Sequence, residues 1–264
     1  MLLMFSYCIK LNILITNTFG VYFMKNSFKE LSKTLLIAGS IAIFFRSIFF
    51  EPFNIPSGSM IPTLLVGDYL FVSKYSYGYS KYSFPFGLGP IKDRVLYKTP
   101  QRGDVIVFRK PGDETVDYIK RLVALPNDTV QVKEGVLYIN SKKAKRIKTN
   151  IGIMKNIFGD EKVFTQYDEV FEGSKTHKII EASDNDTFDD TILFKVPPSH
   201  FFFMGDNRDN SRDSRTPEVG FVPKKNLIGK AEIIFFSHNS SASIFEFWKW
   251  HKAIRFSRIG KSIE

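Results

Sequence analysis

The chain has 264 residues, of which 44% are hydrophobic and 24% charged, so a disordered chain and a transporter with many spans are excluded. The length allows one large domain or two small ones, and the single cysteine, Cys8, excludes an intramolecular disulfide and a metal site built on several thiolates. A formal charge of +10 fits an anionic membrane surface or nucleic acid, and composition does not separate the two.

The first strongly apolar element is the segment 34–50, in which 12 uncharged residues precede Arg46. This segment reaches the roughly 17–25 residues of a spanning helix if the Arg46 guanidinium extends to the membrane interface. We therefore predict a transmembrane helix over 34–50, with a buried core helix as the alternative. Lysines at 25, 29 and 33 precede it. Because positive residues stay cytoplasmic, the bulk of the chain is expected outside the cytoplasm.

Residues 1–33 form a leader with three interpretations. The apolar stretch 1–23 is a weak first span, a signal-like segment, or sequence upstream of a true start at Met24. We favour the start at Met24, because it leaves a short basic cytoplasmic segment before one span.

After residue 50 the hydrophobic runs are short, β-rich and bounded by turn signals. The runs lie at 69–73, 104–108, 129–132, 136–139, 201–204 and 231–236. No long helical period is visible between 60 and 235. We therefore predict an all-β body of mainly antiparallel sheets over 51–242, with the N-terminal transmembrane helix before it and a C-terminal helix after it.

Two charged segments accompany this body. The first begins with five cations in eight residues at 141–148, and we interpret 141–195 as a surface-rich insertion, since no nucleic-acid motif supports the alternative of a binding patch. The second, 243–264, is a basic aromatic tail. It is typical of a helix that lies on an anionic bilayer or of one that docks on the body.

The sequence offers neither a metal site nor a triad that depends on histidine. No histidine has metal-ligand spacing or lies near a nucleophile elbow. We expect no cofactor and no metal, and we expect all four histidines on the surface or in loops. They are His177, His200, His238 and His251.

A serine and a lysine remain as candidates for chemistry. The prolines and glycine of 56–64 force a turned backbone that presents Ser57 and Ser59, and apolar residues flank Lys120. A lysine in apolar surroundings loses part of its preference for charge and can activate a serine. A third polar segment, 205–215, follows an apolar run. Common residue types such as these do not by themselves establish the pairing.

The order of these segments resembles that of the bacterial type I signal peptidases, the membrane-bound Ser-Lys endopeptidases that remove signal peptides from exported proteins. The resemblance covers most of residues 35–235, and order and spacing agree. The matching boxes are PSGSMIPTL (56–64), GDYLFVSKYSYG (67–78), GDVIVF (103–108), DYIKRLVALPND (117–128), GDNRDNSRDSR (205–215) and GFVP (220–223).

The resemblance implies a role for each matching catalytic position. Ser59 matches the nucleophile and Lys120 the general base. The Ser57 hydroxyl and the Ser59 backbone N–H match the oxyanion hole, and the Ser211 hydroxyl matches the group that orients the lysine amine.

The resemblance also implies supporting and substrate-binding positions. Asp206 matches a supporting carboxylate, and Asp213 and Arg215 match a structural ion pair beside the site. Six residues match the lining of the substrate cleft, with ordinary core packing as the alternative for each: Phe53, Ile55, Met60, Leu64, Tyr118 and Ile119.

The implied activity is an acyl-enzyme cleavage of preproteins after small residues. The implied partners are preproteins that carry signal peptides and the lipid bilayer, and no nucleic acid. We expect a monomer in the cell inner membrane, with one span, a cytoplasmic N-terminus and a periplasmic catalytic domain. The alternatives are a Ser-Lys protease that cleaves itself, and an inactive membrane-anchored β module that only binds.

Overall fold

The computed structural model describes residues 28–87, 89–155, 161–183, 187–239, 241–242 and 245–264. The start at Met24 and the second span in 1–23 lie outside these residues. The chain divides into two compact units, Met1–Arg46 and Ser47–Glu264.

Helix α1, Phe28–Ile48, is long and apolar enough to cross a membrane. Its 21 residues rise about 1.5 Å each, or about 30 Å in total, which is the thickness of the hydrocarbon core. The helix begins before the predicted 34–50 segment because its first turns also accommodate Lys29, Glu30 and Lys33. Its large apolar side chains, such as that of Leu36, are exposed, unlike those of a buried core helix.

The second unit is built from antiparallel strands. A seven-stranded sheet has the order β1-β2-β14-β3-β4-β12-β13, a four-stranded sheet the order β11-β5-β6-β7, and a three-stranded sheet the order β10-β9-β8. The strands are β1 Phe50–Asn54, β2 Asp68–Ser73, β3 Val105–Arg109, β4 Asp117–Ala124, β5 Thr129–Lys133, β6 Val136–Ile139, β7 Lys142–Lys143, β8 Lys145–Lys155, β9 Glu161–Val170, β10 His177–Glu181, β11 Phe194–Lys195, β12 His200–Met204, β13 Val222–Pro223 and β14 Leu227–Ser237.

The large sheet curls because its longest strand, β14, is irregular. Its register shifts twice against β2 and once against β3, and such bulges increase local twist. One apolar core packs against this sheet, with Leu70, Val105 and Ile234 among its buried members. The prediction of an antiparallel β body with an N-terminal apolar helix and a short C-terminal helix, α2 (Trp250–Ala253), is confirmed.

The segment 141–195 is more structured than its charge indicates. It carries the long hairpin β8–β9, along which Ile147 and Ile151 are exposed. Strand β10 is anchored by the fully buried Ile179. The expectation that every histidine is at the surface or in a loop is wrong for His177, which is buried in β10 with its Nε2 3.4 Å from Glu169.

The tail from residue 245 onward is not one long helix. Only the four residues of α2 are α-helical, and Phe245 and Trp248 before them are exposed. The later residues dock on β14: the Ile234 N–H donates to the Lys261 carbonyl at 3.0 Å. The later residues therefore dock on the body, whereas contact of the exposed aromatic residues with a bilayer stays a prediction.

Candidate active site

The turn that presents Ser59 follows β1 and folds back onto the start of β2. The Ile55 N–H donates to the Asp68 carbonyl at 2.9 Å, and the Leu64 N–H donates to the Met60 carbonyl at 2.9 Å. Met60 and Leu64 are fully buried. Their burial in the core holds the turn in place and leaves Ser59 at its outer edge, 8% exposed.

Lys120 reaches Ser59 from the middle of the large sheet. It lies on β4 opposite Ile106 of β3 and is 5% exposed. Its Nζ is 2.7 Å from the Ser59 Oγ and 3.0 Å from the Ile119 carbonyl oxygen. A lysine amine and a serine hydroxyl from distant parts of the chain are thus in direct hydrogen-bond contact.

The surroundings of Lys120 favour its neutral form. Burial lowers the pKa of Lys120 to about 8, although the more distant charges of Asp213 and Asp206 act in the opposite direction. Among the residues that the structure describes, no carboxylate lies within ion-pairing distance of the amine. An ammonium without a counter-ion is unfavourable at such a site, because its lost hydration is not replaced.

The Ser57 hydroxyl faces the same small volume, with its Oγ 3.4 Å from the Ser59 Oγ. Asn207, from the 205–215 segment, holds the backbone around Ser59. Its Nδ2 donates to the Gly58 carbonyl at 3.0 Å, and its N–H donates to the Ser59 carbonyl at 3.1 Å. Sequence reasoning did not single out Asn207. Its position next to Asp206 in a matching box was the available signal.

Asp206 lies beneath the turn, where it accepts two hydrogen bonds of 2.7 Å from the Arg121 guanidinium. Thr63 adds a third from its hydroxyl at 2.5 Å. Burial alone would raise the pKa of Asp206, but Arg121 outweighs it and holds that pKa below its ordinary value. Sequence reasoning did not single out Arg121 either. Arg121 directly follows Lys120 in β4, so its ion pair with Asp206 lies next to the lysine along the chain.

Asp213 and Arg215 form a second buried pair, with Arg215 Nη2 2.8 Å from the Asp213 carboxylate. Asp213 also accepts from the Gly205 N–H at 2.9 Å. Burial is opposed here by Arg215, and the pKa of Asp213 is lowered.

Ser211 lies in the same buried loop, and a Cβ added at Gly205 would come within 2.2 Å of its Oγ. The expected bond from Ser211 to the lysine amine is not formed. Among the described residues its Oγ has no hydrogen-bond partner of good geometry, and the Ser211 hydroxyl acts instead on the neighbouring Asp213, whose pKa it helps to lower.

An apolar cleft of ≈ 490 Å³ opens beside Ser59 and Lys120. Four of the six expected cleft residues line it: Phe53, Ile55, Tyr118 and Ile119. The expectation for Met60 and Leu64 is wrong, because both side chains point into the core beneath the turn. Four further residues, which sequence reasoning did not place in the cleft, also line it: Val107, Val116, Asn210 and Arg212.

Comparisons with known proteins identify relatives of this chain. A family model described as "Signal peptidase, peptidase S26" matches residues 28–236. "Signal peptidase I" of Rickettsia typhi is 40% identical over 241 residues, which cover 84% of this chain and 89% of that protein. "Signal peptidase I" of Rickettsia prowazekii is 39% identical over the same shares of the two chains. A solved signal peptidase I of Enterococcus faecalis V583 is 25% identical and covers 50% of this chain and 97% of that one, and its TM-score of 0.29 is too low for an argument about the fold.

The antiparallel β body and the matched relatives together define the class of protein, a peptidase of the hydrolase class. The chain belongs to the signal peptidase family, peptidase S26. Its function is that of signal peptidase I, which acts on preproteins with signal peptides.

Proposed function

We propose that the protein removes signal peptides by a Ser-Lys mechanism, with Ser59 as nucleophile and Lys120 as general base. One observation carries the proposal: the Lys120 amine is 2.7 Å from the Ser59 Oγ, in a buried site where its pKa is lowered to about 8. A base needs an unprotonated nitrogen within hydrogen-bond reach of the proton that it removes.

The proposed reaction is an acyl transfer in two halves. Neutral Lys120 takes the Ser59 proton while the Oγ attacks the carbonyl carbon of the scissile bond. The resulting lysine ammonium then gives its proton to the leaving amine as the peptide bond breaks. In the second half, Lys120 takes a proton from water as the water oxygen attacks the acyl carbon. The ester bond to the Ser59 Oγ then breaks, and the lysine ammonium returns the proton to that Oγ while the acyl group leaves as a carboxylic acid.

The oxyanion of each tetrahedral intermediate is expected to accept hydrogen bonds from the Ser57 hydroxyl and the Ser59 backbone N–H. Preorganised donors of this kind are worth about 2.7–4 kcal/mol each. The Asn207 bonds to the Gly58 and Ser59 carbonyls support this assignment, since they fix the backbone that carries the N–H.

The cleft accounts for a preference for small substrate residues near the cut. Its walls next to the catalytic pair include the apolar side chains of Ile55, Tyr118 and Ile119. We infer that alanine-sized side chains fit one and three positions before the cut, and that bulkier ones are excluded sterically.

Asp206, Asp213 and Arg215 have supporting roles in this proposal. Asp206 connects the Ser59 turn to Arg121, and the Asp213–Arg215 pair shapes the loop that carries Ser211. None of them touches the Lys120 amine directly, and their charges reach it only through space.

We further propose that α1 crosses the cell inner membrane once. The cations at 25, 29 and 33 then place the N-terminus in the cytoplasm, and the unit Ser47–Glu264 lies on the periplasmic side as a monomer. Only β1 and one turn separate the helix from Ser59. The reaction would take place close to the membrane surface where signal peptides emerge.

A cleavage assay in trans tests the proposed mechanism. The full chain in detergent is mixed with a preprotein, and wild type is compared with Ser59→Ala and Lys120→Ala. We expect cleavage at the signal peptide junction by the wild type and a loss of at least about 10³-fold in either variant, because the nucleophile and its base act as a unit.

Three results would contradict the proposal. Cleavage of the preprotein by Ser59→Ala at the wild-type rate rules out this nucleophile. Cleavage confined to the chain itself indicates the self-cleaving alternative, and binding of the preprotein without cleavage indicates the inactive module.

A further inference from the structure

Residues 254–264, here called the C-terminal strap, lie beyond the residues that the family model matches, which end at 236. The strap continues the large sheet: Gly260 donates its N–H to the Ile234 carbonyl at 2.8 Å, and Ile263 donates its N–H to the Glu232 carbonyl at 2.9 Å. Ile263 is buried in the core beneath the sheet. The strap is therefore an ordered part of the catalytic unit.

The strap neutralises a buried carboxylate at the end of the Ser59 turn. Asp68 is fully buried, and its Oδ2 accepts from Arg258 Nη2 at 2.5 Å and from the Leu65 N–H at 2.8 Å. Arg255 Nη2 lies 3.5 Å from the other carboxylate oxygen. In the described part of the chain, the ion-pair partners of Asp68 both come from the strap.

Arg258 also bonds the turn itself. The same Nη2 atom donates to the Thr63 carbonyl at 2.9 Å. The Thr63 hydroxyl in turn donates to Asp206 at 2.5 Å. Thr63 is therefore held at its carbonyl by Arg258 and at its hydroxyl by the Asp206 carboxylate.

The far end of the strap reaches the strand that carries the lysine. The Glu264 carbonyl oxygen accepts from Arg121 Nη2 at 3.1 Å. Arg121 follows Lys120 in β4 and holds Asp206 through its Nε and through the same Nη2. The strap is thus bonded to both chain segments that present the catalytic pair.

We propose that Arg258 is a positioning residue, through which the strap holds the Ser59 turn at its reactive distance from Lys120. This inference rests on the proposed Ser-Lys mechanism. Loss of Arg258 leaves the buried Asp68 carboxylate with Arg255 as its remaining ion-pair partner among the described residues, at 3.5 Å. A buried charge that has lost its main partner is unfavourable, so we expect the surrounding turn to shift. A displacement of the turn by about 1 Å is enough to lower the rate about 100-fold.

The test compares Arg258→Gln with a matched control, Arg102→Gln, in the full chain. Arg102 likewise holds one carboxylate, that of Asp128, with two donors and also bonds a carbonyl, but it carries no bond to the Ser59 turn. For Arg258→Gln we expect kcat to fall at least tenfold with KM changed less than twofold. We also expect the pH at half-maximal rate to move upward, toward that of free lysine, as water enters the loosened site. Arg102→Gln should change kcat and KM by less than twofold and should leave the pH at half-maximal rate where it is in the wild type.

Arg258→Lys keeps a cation beside Asp68 but has no fork that spans both Asp68 and Thr63. We expect it to fold and to lose about threefold to tenfold in kcat. The inference is overturned if Arg258→Gln folds and has a kcat within twofold of wild type and an unchanged pH at half-maximal rate. If Arg258→Gln does not fold, the same result in Arg258→Lys overturns it. If Ser59→Ala retains cleavage, the proposed mechanism fails instead, so the two failures are distinguishable.

Discussion

The burial of Lys120 sets the pH range in which the enzyme is expected to work. Its pKa is lowered to about 8, with loss of hydration as the main cause. Because Lys120 as the proposed base must be unprotonated, kcat/KM should reach half its maximum near pH 8 and level off about one pH unit higher, whereas a free lysine has a pKa of ~10.4. Below the inflection the rate should fall about tenfold per pH unit. Rates from about pH 6 to about pH 10 on one signal peptide substrate check this.

Ser57→Ala is the control for this profile. Loss of an oxyanion donor lowers kcat about 10²–10³-fold, and the inflection should stay in place because the Lys120 environment is unchanged. A wild-type profile that is flat between pH 7 and 9, or that reaches half-maximum near pH 10, contradicts the role of Lys120 as base.

At the scale of elements, the loop 205–215 is held against the Ser59 turn through Asn207. Its Nδ2 bond to the Gly58 carbonyl crosses between two segments that are far apart in sequence. Asn207→Ala leaves that carbonyl without its partner, so we expect the free energy of unfolding to fall by about 1 kcal/mol and kcat to fall about tenfold. Urea denaturation of the Ser47–Glu264 unit and steady-state kinetics of the full chain measure the two effects.

Asn207→Asp provides a comparison of nearly equal size. It removes the amide donor and turns a carboxylate toward the Gly58 carbonyl, so it should be more harmful than the alanine variant. An alanine variant with wild-type stability and rate would show that Asn207 does not hold the turn.

The same elements show what the sequence can and cannot predict. Local signals sufficed where a short apolar run is bounded by turn residues: the runs at 69–73 and 136–139 are strands within one residue of the expected limits. Strand β1 was not separated from the apolar segment before it, because its sequence FEPFN continues an apolar run and contains a proline. The hairpin β8–β9 was read as a solvated charged segment, since its polar residues are paired by backbone bonds that composition does not reveal.

The candidate site divides in the same way. The serine and lysine were found from matching boxes, whereas the bonds from Arg121 to Asp206 and from Asn207 to Gly58 depend on the register of β4 and on the path of a loop. Met60 and Leu64 were expected in the cleft, because a sequence does not tell on which side of a tight turn an apolar side chain lies. These contacts join residues that are far apart in the chain, so a local sequence pattern does not predict them.

At the scale of the whole molecule, we predict from the positive charge and the exposed aromatic residues that the unit Ser47–Glu264 also binds the bilayer surface. Phe245, Phe247 and Trp248 expose more than half of their surface, and Lys249 and Lys252 lie beside them. Exposed aromatic rings with adjacent cations favour the interface of an anionic membrane. Because the strap that follows is hydrogen-bonded to β14, the aromatic cluster is attached to the body of the unit Ser47–Glu264.

This geometry determines how lipid binding has to be tested. Deletion of 243–264 would remove the strap together with the aromatic cluster, so point changes are required. We expect the unit Ser47–Glu264 to float with liposomes that contain anionic phospholipid, and Phe247→Ser/Trp248→Ser to bind at least about tenfold more weakly, since each buried aromatic side chain is worth roughly 1.5–3 kcal/mol. Ile147→Ser/Ile151→Ser on the β8–β9 hairpin removes a similarly exposed apolar pair elsewhere and should leave binding unchanged. Equal flotation of all three proteins would show that the aromatic cluster does not carry the binding, and absence of flotation for the unchanged unit would assign the membrane attachment to α1 alone.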